Sequence, residues 1–226
     1  PPKMVERTNK GKRGKVDNVS KLLGCGGTAV ATTQDLYPAM PTQCPKTKEL
    51  QETGMWSEAC IRTGKKEIVV ASAYTEQNKN NDDKIQKMLE VAASRGAVPY
   101  FLCIDANSDI ENQEIIKTAL LSGRWHNALS GRKDETRPTY CNRKEWDKRT
   151  WQTGATRIDY VLVNTTAKGM ITDAVLRSDT MIPGHLGIEI ELSIARAHQT
   201  VLRWVQPTRQ EWENRYDYQK DESATI

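Results

Sequence analysis

From position 98 to 104 the chain reads Val-Pro-Tyr-Phe-Leu-Cys-Ile and then meets Asp105. A strand of that composition has no polar side to turn to water, so it must be covered on both faces and flanked by other strands. The rest of the chain supplies candidates. Met55 to Arg62 and Glu67 to Tyr74 read as a hairpin around Thr63-Gly64-Lys65, and further strands are expected at Ile158 to Val163, Ile171 to Leu176 and Ile188 to Ile194. Ala29-Val30-Ala31, entered through Gly26-Gly27, reads as a short strand. Between the strands fall two amphipathic segments. One has Asp82 or Asp83 as N-cap, Ile85, Met88, Leu89 and Ala92 on one side, and Gly96 just past its end. The other runs from about Glu111 to Leu121, with Gly123 as its stop. Strands interspersed with helices argue for an α/β (α+β) fold, in which helices cover sheets.

At 226 residues, 37% hydrophobic and 27% charged, the chain suits one sizeable globular domain or two small ones. Its apolar stretches stop far short of the roughly 18 residues that span a bilayer, and Pro1-Pro2-Lys3 lacks the apolar core of a secretory signal. Five cysteines without a Cys-x-x-Cys pair indicate neither a disulfide framework nor a structural zinc site, and point to a reducing, intracellular setting, nucleus or cytoplasm. The net charge of +4 does not by itself announce nucleic-acid binding. Residues 1–23 form a basic leader read as flexible, 24–204 the domain, and 205–226 an extension without a clear period.

Asp105 and Asn107 stand two residues apart at the exit of a buried strand, where both side chains can leave the sheet edge in one direction. A carboxylate there can activate water and an amide can hold a phosphate oxygen; the same pair also suits a simple Asx turn. Asp159 lies inside the apolar run Ile158 to Val163, where an unpaired carboxylate costs several kcal/mol, so it needs a partner. Arg157 points to the other face. His185, opening the last strand, can serve: an Asp–His pair orients the ring and favours the imidazolium, whereas a surface histidine at a turn would have no such role. Tyr74 ends its own strand in the same manner.

In chain order these phrases resemble the endonuclease/exonuclease/phosphatase superfamily, over about Gly26 to Ile194. Gly26-Gly27-Thr28-Ala29-Val30 looks like its Gly-Gly entry strand, Val70 to Tyr74 its strand ending in tyrosine, and Phe101 to Asn107 its Gly-Asp-x-Asn strand. Thr139-Tyr140 matches its Thr-Phe, Arg157 to Val163 its Arg-Ile-Asp-Tyr strand, and His185 the histidine of its Ser-Asp-His. The resemblance implies a four-layer α/β/β/α sandwich of two mainly antiparallel sheets, and Mg²⁺ (or Mn²⁺) as cofactor. It implies that Asp105 positions or deprotonates water and contributes to the metal site, that Asn107 and Tyr74 hold the phosphate, and that Asp159 orients His185, which stabilises charge at phosphorus.

The family pattern is incomplete. Its first strands, one bearing an Asn and one ending in Gln-Glu with the main metal ligand, are expected before Gly26, where only the Lys-rich leader stands. Gln51-Glu52 spells the phrase at the wrong place, after a polar run, and reads as a loop. Gly184 replaces the Asp before the family's histidine, with Asp179 on the same loop as a substitute carboxylate, and Ile104 replaces its Gly. Two readings follow: an N-terminally truncated phosphodiesterase, or a relative that keeps the fold without the metal.

Arg143, Lys144, Lys148 and Arg149 interleave with Trp146 and Trp151, a mixture suited to phosphate contact and base stacking, or to a solvated hairpin with a tryptophan staple. The expected function is Mg²⁺-dependent cleavage of nucleic acid, DNA in particular, as in retrotransposon-type endonucleases, by a monomer without a membrane partner. The alternatives are a non-catalytic nucleic-acid-binding relative and a phosphatase of a small phosphoester such as an inositol phosphate.

Overall fold

A computed structural model of the chain describes residues 4–6, 22–24, 28–32, 38–41, 44–63, 66–77, 80–141, 155–179 and 184–197. Within the leader, β1 (Met4–Glu6) pairs antiparallel with β2 (Leu22–Gly24). The central sheet contains β3 (Pro38–Ala39), β4 (Trp56–Thr63), β5 (Lys66–Tyr74), β6 (Tyr100–Asp105), β7 (Trp125–Asn127) and β8 (Asp159–Asn164), in the order β3-β4-β5-β6-β8-β7. β9 (Ile171–Arg177) and β10 (Gly187–Leu192) form a separate antiparallel pair. The helices are α1 (Pro45–Glu52), α2 (Asp82–Ser94), α3 (Glu114–Leu121) and α4 (Thr165–Met170).

β6 sits where its composition requires, between β5 and β8. Its Tyr100, Leu102 and Ile104 pack with Ile85, Met88 and Ile116 of α2 and α3. Phe101, on the opposite face, packs with Val161 and Val163 of β8 and with Ala174 and Leu176 of β9. The molecule is thus a mixed α/β sandwich: α1, α2 and α3 on one face of the larger sheet, the β9–β10 pair with α4 on the other. All strand pairs in these sheets are antiparallel except β5–β6, which is parallel because α2 carries the chain back across the sheet.

Several elements depart from the expected bounds for local reasons. Residues 28–32 form no ladder; Ser57 instead donates its hydroxyl to the Thr28 carbonyl at 2.6 Å, so this segment lies along β4 without pairing with it. The N-cap position of α2 falls to Asn81, and Asp82 and Asp83 occupy the first turn, where they favour the helix dipole. The second expected helix divides into a 3₁₀ turn, Ile110–Asn112, and α3, because the Asp109 carboxylate accepts from Glu111 N and Gln113 leaves helical geometry. Positions 45–52, read from sequence as a polar loop, are α1. Pro45 suits a first helical position, and Thr47 and Leu50, three apart, are its buried residues. Two buried positions in eight residues, one of them a threonine, are too few to announce a helix.

A charged network lies under the helices. The Glu58 carboxylate is wholly buried, paired bidentately with Arg95 and accepting from Tyr100 Oη at 2.8 Å. The hydrogen bond to Glu58 raises the Arg95 pKa, and burial pushes the Tyr100 phenol up. Removing one member strands the rest. Arg95→Ala should therefore destabilise the chain by about 3–5 kcal/mol, read as a lowered midpoint in urea unfolding, whereas an exposed pair such as Arg177–Glu189 should matter by less than ~1 kcal/mol.

Candidate active site

Strand register places the site. Tyr74 of β5 is opposite Asp105 of β6, and Asp105 is opposite Asp159 of β8. Side chains at paired positions emerge on the same face, so these three form one row across three adjacent strands. On that face Phe101 of β6 and Val161 of β8 are buried between the two sheets, so the row marks where the apolar interface ends and polarity begins. A cleft of about 400 Å³ opens there, lined by Tyr74, Asp105, Asp159 and His185, with Thr28, Ser72 and Cys103 on its floor and walls.

His185 arrives from outside the sheet. Its Nδ1 lies 3.0 Å from Asp159 Oδ2, which gives Asp159 the partner its position demands. The segment 139–141 makes this meeting possible. Buried Thr139 accepts at Oγ1 from Ile158 N (3.1 Å) and Asp159 N (3.0 Å), fixing the entry to β8. Its carbonyl accepts from Leu186 N at 2.7 Å, and Cys141 N donates to Gly184 O at 2.8 Å. Tyr140 then packs its ring against His185, centroids 4.9 Å apart. One short segment thereby ties both halves of the Asp–His pair. The sequence contained Thr139-Tyr140 as a phrase, but nothing in its spacing disclosed this double role.

Gly184 explains the missing carboxylate before His185. It has φ +90°, and a Cβ there would lie 3.0 Å from Cys141 O and 3.2 Å from the Tyr140 ring. A side chain has no room while that tie is made. Asp179 does not line the cleft; it is exposed, with its charge felt by Arg177. Glu52 closes α1, exposed, and it too is absent from the cleft lining.

Asn107 is held differently from its neighbours. It adopts φ +48°, a left-handed conformation asparagine tolerates, and its Nδ2 donates to Thr75 O at 2.7 Å. Its backbone N–H donates to Asp105 Oδ1 at 3.0 Å. Asn107 therefore braces the turn that presents Asp105, and lies beside the cleft rather than among its lining residues. The basic and aromatic positions Arg143, Lys144, Trp146, Lys148, Arg149 and Trp151 fall outside the described residues.

Electrostatics in the cleft follow from this packing. Burial, and then the charge of Asp159 opposite, push the Asp105 carboxyl up to about 6; Asn107 N–H and His185 pull the other way. The hydrogen bond to Asp159 raises His185 above 6.5, against the opposing effect of burial. The row thus sets a carboxylate of raised basicity beside a histidine whose charged form is favoured. Both shifts are upward. Each stabilising contribution is complete below the group's unfolded pKa, about 3.9 for Asp and about 6.5 for His, and is lost as pH rises through the native value.

Asp159→Asn should lower both pKa values, of Asp105 by removing a like charge and of His185 by removing its anionic partner; carboxyl and imidazole NMR titrations in EDTA read each. Thr139→Val leaves one buried and one partly buried N–H group unpaired and should cost about 2–4 kcal/mol. Gly184→Ala should cost about 1–3 kcal/mol and lower the His185 pKa, because the strain falls on the tie that holds the ring.

No family model and no curated protein matches this chain. Among solved structures, it is similar to the endonuclease domain of TRAS1, a telomere-specific non-LTR retrotransposon, with TM-score 0.53 and 18% identity over 71% of this chain and 70% of that one. An endonuclease/exonuclease/phosphatase family protein from Leptotrichia buccalis follows with TM-score 0.45, 17% identity, and coverage of 61% and 53%. A mannosyl-6-phosphatase from Bacteroides thetaiotaomicron has TM-score 0.42, 15% identity, and coverage of 61% and 56%. The chain thus spans little more than half the length of the last two. In strand order and paired sheets this chain shares the fold of the TRAS1 endonuclease domain, a mixed α/β sandwich of the kind its resemblance to the endonuclease/exonuclease/phosphatase superfamily implied.

Proposed function

We propose that this chain carries the hydrolytic site of a divalent-metal-dependent phosphodiesterase acting on nucleic acid, DNA in particular. The observation that carries the reading is the row Tyr74–Asp105–Asp159 with His185 paired to Asp159. Ligand atoms of Asp105, Asp159 and His185 all lie within 4.8 Å of one another. Two carboxylates suit Mg²⁺ or Mn²⁺, which take hard oxygen ligands and commonly use one or two carboxylates with substrate phosphate oxygens. The upward shift of Asp105, caused by burial and then by Asp159, is partly a like-charge repulsion that a cation there relieves. When bound, such a cation polarises the phosphoryl oxygen and neutralises charge on the leaving oxygen.

The protein's own groups then divide the work. Asp105, braced by Asn107 N–H, orients the attacking water and accepts its proton. Asp159 holds His185 by Nδ1, and the imidazolium it favours donates from Nε2 to a phosphoryl oxygen as negative charge grows there. Tyr74 lies at the other end of the row, positioned to hold a second phosphate oxygen. Asn107 Nδ2 gives one of its two N–H donors to Thr75 O, which leaves the second for that contact. Nucleic acid as substrate is supported by the fold shared with a retrotransposon endonuclease domain and by the alternation of cations and tryptophans between Arg143 and Trp151.

Cleavage of plasmid DNA with Mg²⁺, abolished by EDTA, should fall by about 10²–10⁴-fold in both Asp105→Ala and His185→Ala. Hydrolysis of inositol or sugar phosphates with no action on DNA would overturn the substrate class. Salt-sensitive DNA binding without turnover would overturn catalysis.

A further inference from the structure

Beyond Asp105 the chain crosses the entry of β8, and two hydrogen bonds clamp that crossing. Ala106 N–H donates to Ile158 O at 2.8 Å, and Ile110 N–H donates to Tyr160 Oη, also at 2.8 Å. The Tyr160 hydroxyl donates its own hydrogen to Arg157 O at 2.7 Å, so its single donor is committed as well. Between the two fastenings stands Asn107, in the left-handed conformation at φ +48°, with its N–H on Asp105 Oδ1. Asparagine tolerates that conformation without favouring it, so it persists where the surroundings hold it. The span 157–160 that receives the loop also carries Asp159. One hydroxyl thereby joins the segment that braces Asp105 to the segment that bears its opposite acid.

We propose that Tyr160 is a positioning residue for the hydrolytic row: its hydroxyl bridges Ile110 N and Arg157 O and so fixes the Asp105 carboxylate relative to Asp159. The inference rests on the phosphodiesterase reading and adds to it the group that sets the spacing of its two acids. The Tyr160 ring, 1% exposed, packs with Ile104 and Ile116 under the helices, on the face of β8 opposite Asp159, so it acts through its neighbours. Arg157 lies over that ring, its guanidinium carbon 5.4 Å from the centre. Packing therefore holds the ring whether or not the hydroxyl is present, and the hydroxyl is left to hold the loop. Downstream of Asn107, no other hydrogen bond joins this loop to β8 among the described residues. The bond from Asn107 Nδ2 to Thr75 O, at 2.7 Å, runs to the exit of β5 and leaves the distance to Asp159 unset.

The test compares Tyr160→Phe and Ile110→Pro in the full chain, by amide hydrogen exchange and by Mg²⁺-dependent cleavage of plasmid DNA. Ile110→Pro removes the same bond from its other end: position 110 opens the 3₁₀ turn and Asp109 before it is extended, at ψ 148°, so proline fits there. Each variant should speed exchange of the Asn107 N–H by about tenfold or more, while Leu102 and Leu162 in the β6–β8 ladder keep their protection. Each should lower kcat by about tenfold and leave KM within about twofold, since a displaced carboxylate weakens the transition state and not substrate binding. The double variant should lose no more than either single one, because both cut one bond. Unchanged exchange at Asn107 in a folded Tyr160→Phe overturns the role, as does equally faster exchange at Leu102 and Leu162. A raised KM at constant kcat, or losses that multiply in the double variant, overturn it too. If Tyr160→Phe does not fold, Ile110→Pro decides alone by the same exchange and kinetic readings. A wild-type chain that cleaves no DNA overturns the phosphodiesterase reading instead, and exchange at Asn107 then decides by itself whether Tyr160 holds the loop.

Discussion

The antiparallel register of β6 against β8 sets Asp105 opposite Asp159, and the site depends on that pairing. Like charges facing one another across a ladder are unfavourable, the more so at the rim of an apolar interface. The fold tolerates them because each has an outlet: Asp159 has His185, and Asp105 has Asn107 N–H and a carboxyl that is readily protonated. Register could not slip by one residue to separate them without turning Phe101, Val161 and Val163 out of the core. Hydrophobic packing between the sheets thus holds the acidic pair in place at their edge.

Thr139 and Gly184 show how a polar site is attached to that rigid frame. The threonine hydroxyl replaces a missing ladder partner at the start of β8, and its carbonyl anchors the residue after His185. Gly184 lets the backbone approach Cys141 closely enough to complete the tie. A carboxylate at position 184 and the present path of the chain are therefore alternatives: the acid absent from the site is absent for a steric reason.

Much of this was legible in the residues. The run from Val98 to Ile104 announced a strand covered on both faces, the hairpin of β4 and β5 stood where its apolar runs ended, and Asp159 in an apolar strand demanded a partner that proved to be His185. Short elements were not legible. α1 carries two buried residues, β7 only three positions in all, and residues 28–32 looked like a strand because a three-residue apolar run does not say whether a ladder will accept it. Asn107 was expected to hold a phosphate, and nothing in its spacing disclosed the bond from its Nδ2 to Thr75 O, a residue 32 positions away.

What the sequence by itself determined was the alternation of apolar runs and polar stops, and with it the buried β6, the strand ends that bear Tyr74, Asp105 and Asp159, and the need of Asp159 for a partner. These are local properties, written in composition and period. The tertiary structure alone decided which stops meet: that three strand ends fall into one row, and that position 184 has no room for a side chain. The reason is that register, steric approach and burial are relations between segments far apart in the chain, and no single segment contains them.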